Sequence, residues 1–145
     1  MSTAENQTLV RRFFADVCNG RDLAVADELF AADHAYHDPF IPTGPGPEGM
    51  KQVIAPYHAA FSDAQWTVEE TIAADDTVVS RWSATGTHDG TLAGIPPMGT
   101  RVAVSGIWLH RVGDGTIVES WNHWDSLGLL QQLGVIPALG QATPE

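Results

Sequence analysis

The stretch "RVAVSGIWLHRVGDGTIVESWNHW", residues 101–124, decides the fold. Apolar and polar side chains alternate on both sides of "GDG", which is typical of a tight hairpin turn, so the stretch predicts two long antiparallel strands. Side chains two positions apart share one face of a strand. Arg111 and Glu119 mark one face of the hairpin as outward. The opposite, inner face of the last strand then carries Val118, Ser120, Asn122 and Trp124.

Two further strands precede this hairpin. "WTVEETIAA" (66–74) and "TVVSRWSATGTH" (77–88) alternate in the same way around a tight turn at Asp75 and Asp76, and a Gly/Pro-rich segment connects them to the hairpin. The pattern places Thr67, Glu69 and Thr71 on an exposed face. The inner face of the sheet is predicted to carry Trp82, His88, Trp108, His110, Asn122 and Trp124.

Large aromatic side chains mixed with a few polar groups are typical of a small-molecule pocket, whereas a plain core would hold Val, Leu and Ile. The alternative is that each polar group satisfies a buried hydrogen bond and does nothing more. The opposite face of the last strand carries Ile117, Glu119, Trp121 and His123. Together with Ile107 and Leu109, Trp121 makes the outer face too apolar for water, which predicts a homodimer through the outer sheet face.

Helical periodicity dominates the first sixty residues. "TLVRRFFADVCNG" (8–20) predicts one helix, and "RDLAVADELFA" (21–31) predicts a second with Asp22 as its N-cap. "EGMKQVIAPYHAAF" (48–61) predicts a third, in which Pro56 should produce a kink or a break.

A closing helix is predicted at "SLGLLQQLG" (126–134), with Asp125 as its N-cap. Helices that come first and long antiparallel strands that follow predict an α+β fold with the helices against one sheet face. We interpret residues 1–145 as a single domain.

Composition excludes several classes of partner. The 145 residues carry a formal net charge of −11 and no basic cluster, so neither nucleic acid nor an anionic membrane is an expected partner. Cys18 is the only cysteine, which excludes an internal disulfide. The sequence has neither a signal peptide nor an apolar run of membrane-spanning length, and we expect a soluble, cytoplasmic protein.

The segment "HAYHD" holds two histidines and an aspartate. On a strand, His34 and His37 point to opposite faces, so they do not converge on one metal ion. We therefore expect no metal. His37 and Asp38 could form an acid/base pair at a pocket rim, or they could be a polar strand end that caps a loop.

Four motifs resemble one known family. They are "HDP" at 37–39, "GTHDGTLAGIPPMGTRVAVSGI" at 86–107, "RVGDGTIVESW" at 111–121 and "WDSLGLLQQLG" at 124–134. In these motifs the chain resembles the SnoaL-like polyketide (ester) cyclases of the NTF2-like superfamily, and the resemblance extends from about Leu9 to Ile136. It implies a cone-shaped, curved antiparallel sheet whose central pocket is closed by the N-terminal helices.

The resemblance also implies an activity. Members of this family cyclise aromatic polyketide esters in antibiotic biosynthesis by an intramolecular aldol step, with no metal or organic cofactor. Their acid/base aspartate corresponds to Asn122 and their assisting histidine to Trp108. An amide takes no proton at neutral pH, so Asn122 could orient or polarise a carbonyl but could not be the base.

The candidate residues follow from these two lines of argument. The catalytic candidates are His37, Asp38, His88, His110 and Asn122. The candidates for binding a hydrophobic substrate are Phe14, Tyr57, Phe61, Trp82, Trp108 and Trp124. Two alternatives to a cyclase stay open: a cofactor-independent hydroxylase or isomerase on the same scaffold, and a non-catalytic protein that binds a hydrophobic ligand.

Overall fold

The computed structural model describes residues 2–38, 40 and 43–137. Helix α1, Thr3–Arg12, continues as a π-helical segment over Phe13–Asn19. A 3₁₀ turn, Leu23–Val25, and helix α2, Ala26–Leu29, lead into strand β1, Phe30–His37. The remaining elements are α3 (Gly46–Ala60), β2 (Gln65–Ala74), β3 (Thr77–Thr87), β4 (Arg101–Gly113), β5 (Thr116–Trp124) and α4 (Ser126–Gln132).

The five strands form one curved sheet in the order β1-β5-β4-β3-β2. The predicted α+β class is confirmed, and β2 to β5 are antiparallel neighbours as expected. Strand β1 is the exception, because it runs parallel to β5 and aligns Tyr36 with Ser120. The sheet is therefore mixed, and the expectation of a wholly antiparallel sheet is wrong at this edge.

Strand β1 also corrects the second predicted helix. The chain leaves α2 at Phe30, whose backbone is extended at φ −106° and ψ 137°. The Phe30 ring packs edge-on against Phe13 at 5.4 Å, and this buried contact outweighs the local helical pattern. Asp22 precedes the 3₁₀ turn, but its side chain makes no capping hydrogen bond.

The first helix begins five residues before the predicted start. Ser2 and Glu5 form a capping box: the Ser2 hydroxyl accepts from the Glu5 backbone N–H at 3.1 Å, and the Glu5 carboxylate accepts from the Ser2 N–H at 3.2 Å.

Helix α3 is continuous through Pro56, which stands exposed on its surface. A proline removes a single helical hydrogen bond, and here the helix tolerates that loss.

A β-bulge in β5 changes which residues face inward. Arg111 aligns with Glu119, but Val112 aligns with Ile117, so Val118 is the extra residue. Ile117 is consequently fully buried, whereas Val118 is only half-buried. The predicted faces are wrong for these two residues and correct beyond the bulge.

A second bulge, at Glu69 of β2, has the same effect. Val68 aligns with Trp82 and Glu70 aligns with Arg81, which leaves Glu69 without a partner in the register. Thr71 therefore turns to the inner face, contrary to the prediction, and Ile72 is 60 % exposed.

The predicted turns are confirmed. Asp75 begins one hairpin turn at φ 52°, and Asp114 and Gly115 form the other at φ 50° and 81°, the left-handed conformation that this tight turn requires. Asp125 is the N-cap of α4, since its carboxylate accepts from the Gly128 N–H at 2.8 Å. Within the described ranges, no helix is long and apolar enough to cross a membrane.

Candidate active site

A cavity of about 60 Å³ lies between α3 and the inner face of the sheet. Helices α3 and α4 border it, while α1 and its π-helical continuation pack on the part of the sheet that holds His110. Four of the five tryptophans line the cavity: Trp66, Trp82, Trp108 and Trp124. The polar side chains in the described wall are Tyr57, Thr85 and Asn122.

The strand register explains why these aromatic groups converge. Trp82 and Trp124 align with Gly106 from its two sides, and Asn122 aligns with Trp108 in the next row of the sheet. A Cβ atom at Gly106 would lie 2.5 Å from the Trp124 Cβ and 2.8 Å from the His123 carbonyl oxygen. Glycine therefore gives Trp124 the room to stand beside Trp82 on the same face.

Asp38 forms the centre of a hydrogen-bonded group next to the cavity wall. Its Oδ2 accepts from the Tyr36 hydroxyl at 2.5 Å and from the Trp124 indole N–H at 3.3 Å. Its Oδ1 accepts from the Phe40 backbone N–H at 2.7 Å. The Asn122 Nδ2 atom donates to the Tyr36 Oη atom at 3.4 Å, so Asn122 and Trp124 connect the carboxylate to the cavity wall.

Three polar atoms in the cavity wall have no hydrogen-bond partner among the described residues. They are Asn122 Oδ1, Tyr57 Oη and Trp82 Nε1. Leaving a buried polar atom unpaired costs about 1–3 kcal/mol, so such atoms gathered in one cavity favour the binding of a polar ligand group. Burial raises the pKa of both Tyr36 and Tyr57, so both phenols stay protonated at neutral pH and can donate.

Five of the six predicted substrate-binding residues line the cavity together, namely Tyr57, Phe61, Trp82, Trp108 and Trp124. Phe14 does not: its side chain is buried in the core beside Phe13, with the ring centroids 5.3 Å apart. The helical periodicity correctly showed that Phe14 is buried but could not show on which side of the core the cavity lies.

His37 does not lie at the cavity. It stacks on Trp121 at 5.0 Å, and its Nε2 atom lies 2.7 Å from a Glu119 carboxylate oxygen, on the outer face of the sheet. The predicted pairing of His37 with Asp38 is therefore corrected. Adjacent residues of a strand point to opposite sides, and here Asp38 turns inward with Tyr36.

His88 and His110 lie on the inner face but outside the cavity wall. The His88 ring is fully buried beside Phe61, and its Nδ1 atom accepts from the Met98 backbone N–H at 3.2 Å. The His110 ring stacks on the ring of Trp108, a residue of the cavity wall, with the ring centroids 5.0 Å apart. Burial lowers the pKa of His110 to about 3, so its ring is neutral at physiological pH.

The sequence interpretation missed Tyr36 and His34. His34 is buried, and its Nε2 atom lies 2.8 Å from the Ser120 hydroxyl. The alternation of His34 and Tyr36 in "HAYH" was the available signal, since it places both side chains on one face of a strand. Across the described part of the chain, no three His, Cys, Asp or Glu side chains are grouped as a metal site requires.

Comparison with known proteins supplies the family. A family model described as SnoaL-like polyketide cyclase matches residues 8–133. Comparison with curated protein sequences found no match.

Several solved structures are similar over almost the whole chain and carry the same NTF2-like fold. TsrD from Streptomyces laurentii is 28% identical, with a TM-score of 0.82, and the alignment covers 94% of this chain and 99% of TsrD. AclR from Streptomyces galilaeus, a proposed hydroxylase, is 28% identical with a TM-score of 0.81, and the alignment covers 97% of this chain and 87% of AclR. IdmH from Streptomyces antibioticus, a proposed polyketide cyclase, is 32% identical with a TM-score of 0.75, and the alignment covers 90% of this chain and 99% of IdmH.

Proposed function

The chain belongs to the SnoaL-like polyketide cyclase family, and from this premise we propose that it is an enzyme acting on an aromatic or other hydrophobic polyketide-like substrate. The reaction we propose is an acid/base conversion of the aldol-cyclisation type. One observation carries this proposal: the Asp38 carboxylate accepts a hydrogen bond from the indole N–H of Trp124, a residue in the wall of a mostly apolar and aromatic cavity.

Asp38 is the proton acceptor in this proposal. Of the five catalytic candidates, His37 faces outward, His88 and His110 are fully buried, and Asn122 is an amide, whereas the Asp38 carboxylate is only partly buried. In the reaction, Asp38 takes a proton from the carbon next to a carbonyl, and the resulting enolate carbon attacks a second carbonyl of the same molecule. The carbon–carbon bond forms, and the new alkoxide receives the proton back.

The unpartnered donors of the wall have a role in the same step. The Tyr57 hydroxyl and the Trp82 indole N–H can donate to the enolate oxygen as negative charge develops on it. A donor that is already held in the wall of a mostly apolar cavity requires little reorganisation during the reaction, which makes it effective at stabilising that charge.

The test measures proton abstraction alone. An aryl β-ketoester such as ethyl benzoylacetate is incubated with the protein in D₂O, and exchange of its α-protons is followed by mass spectrometry. We expect the protein to accelerate exchange and the Asp38→Asn variant to lose about a hundredfold of that acceleration or more. Asp33→Asn, an exposed aspartate of the same strand, is the matched control and should exchange at the wild-type rate. Equal rates in the wild type and in Asp38→Asn would contradict the assignment.

A hydroxylase is the second candidate, and two observations favour it. AclR, the proposed hydroxylase, aligns with 97% of the chain, and Asn122 has no proton-accepting group where the cyclases have an aspartate. Oxygen from ¹⁸O₂ would then appear in the product, which an aldol cyclisation excludes. A protein that binds aromatic ligands tightly, exchanges no proton and incorporates no oxygen would instead be a non-catalytic carrier.

We also propose a homodimer through the outer sheet face. Ile107 is 48 % exposed there, and Leu109 and Trp121 lie half-buried beside it. An isologous contact would remove this apolar surface from water. We expect sedimentation to give a dimer at micromolar concentration and Ile107→Glu to give a monomer. Leu127→Glu on α4, where Leu127 is 55 % exposed, is the matched control and should stay dimeric; a monomeric wild type would refute the proposal.

We also propose that the protein acts in the cytoplasm, in the biosynthesis of an antibiotic-like polyketide. Deletion of the gene should remove an aromatic metabolite from the producing cell and accumulate its uncyclised precursor. An unchanged set of aromatic metabolites would contradict this role.

A further inference from the structure

The hydrogen bond between Tyr36 and Asp38 determines how the Asn122 amide is oriented. A carboxylate has no proton to give, so the single hydroxyl proton of Tyr36 must lie between its Oη atom and Asp38 Oδ2, which are 2.5 Å apart. The Tyr36 oxygen can then only accept a further hydrogen bond. The atom of Asn122 that faces it, at 3.4 Å, must be the amide nitrogen.

This orientation leaves the amide oxygen without a partner. Asn122 belongs to the cavity wall and is 5 % exposed, and its Oδ1 atom has no partner within the described residues. We propose that Asn122 presents this oxygen to the ligand and selects molecules that carry a hydrogen-bond donor, namely a phenol or enol hydroxyl. The proposal rests on the proposed function and defines its substrate class more closely.

The other unpartnered atoms of the wall complete the description of the ligand. Tyr57 and Trp82 present donors, so they match an acceptor oxygen such as a ketone. A molecule that combines a hydroxyl with a carbonyl on an aromatic body satisfies both kinds of group. The wall contains neither Lys nor Arg among its described residues, so it offers no counter-ion to a free carboxylate.

Tyr36 is the positioning residue for this selection. It does not belong to the cavity wall, and with its hydroxyl bonded to Asp38 it holds the amide nitrogen of Asn122 on the Tyr36 side. Without the Tyr36 hydroxyl, the amide could turn and present its nitrogen instead, and the wall would accept a ketone or a hydroxyl equally well. A purely structural tyrosine would change stability but would not change this preference.

The experiment compares two ligands of nearly equal size. 1-Naphthol carries a hydroxyl donor, and 1-fluoronaphthalene replaces it with a fluorine that cannot donate; both are titrated into the full chain and followed by NMR. We expect the wild type to bind 1-naphthol about tenfold more tightly or better, because without a donor the buried oxygen stays unpaired. Asn122→Asp keeps the acceptor and should keep the preference.

The variants separate positioning from folding. Asn122→Leu and Tyr36→Phe should both reduce the preference to about twofold or less. Thr77→Val likewise removes one hydroxyl, but at a residue outside the cavity wall, and it should leave the preference for 1-naphthol intact. Equal binding of the two ligands by the wild type, failure of both to bind, or an undiminished preference in Tyr36→Phe would overturn the proposal. The exchange assay is independent: a preference without exchange would refute the enzyme and not the ligand class.

Discussion

Lowering the pH from 7 to 5 should destabilise the protein through His34 and His110. Both rings are buried, and desolvation is the main cause that lowers the pKa of His34 to about 4 and that of His110 to about 3. A neighbouring imidazole lowers each pKa further: His37 lowers the pKa of His34, and His34 lowers the pKa of His110. In the unfolded chain both have a pKa near 6.5.

The direction and the size follow from proton binding. Between pH 6.5 and about 4, the two histidines bind protons in the unfolded chain but stay neutral in the folded chain. The free energy of unfolding therefore falls as the pH falls. From pH 7 to pH 5 each histidine contributes a loss of about 2 kcal/mol, or about 4 kcal/mol together. Total stabilities are typically about 5–15 kcal/mol, so this loss is a large fraction of the whole. Carboxylates whose pKa is lowered by hydrogen bonds, such as Asp63 and Asp89, become protonated only at lower pH.

Urea unfolding at the two pH values measures this difference. We expect His110→Leu to lose about 2 kcal/mol less than the wild type between pH 7 and pH 5, whatever its stability at pH 7. His58, whose pKa burial also lowers, contributes equally in both proteins. His123→Gln, at an exposed position of β5, is the control and should behave as the wild type does. An identical loss in wild type and His110→Leu would show that His110 already binds a proton in the fold.

Three further outcomes are expected. Gly106→Ala should lower the free energy of unfolding, measured in urea, by about 1–3 kcal/mol, because the added Cβ overlaps Trp124. Unchanged stability would mean that β4 and β5 move apart there at no cost. Asp125→Ala should lower it by about 1 kcal/mol through loss of the α4 cap, while Asp125→Asn should restore most of it. Metal analysis of purified protein should find no stoichiometric zinc or iron, and chelation should leave activity unchanged; metal lost together with activity would overturn this prediction.

The inner face of the sheet could be predicted from the sequence because it depends on local alternation. Trp82, Trp108, Asn122 and Trp124 lie where the pattern placed them, and Asp125 caps α4 as its spacing indicated. These positions need only a strand of period two and a standard helix start. Local rules therefore predicted these four side chains of the cavity wall.

The features that the sequence did not predict depend on contacts between distant parts of the chain. The bulges that turn Ile117 and Thr71 inward arise from the pairing of neighbouring strands and have no signature in either strand alone. The sides taken by His37 and Asp38 follow from the parallel pairing of β1 with β5, which no local pattern indicates. Tyr36 was missed for the same reason.

The parallel pairing of β1 with β5 has a consequence for how the protein folds. The hydrogen bond from Asn122 to Tyr36 spans 86 positions of the chain, whereas the β4–β5 hairpin closes over a few residues. Contacts of such long sequence separation form slowly, since the entropy of closing the loop is lost before the contact is gained. During synthesis, β1 leaves the ribosome long before its partner strand exists. We therefore expect the four antiparallel strands, β2 to β5, to assemble first, and the hydrogen-bonded group around Asp38 to be completed last.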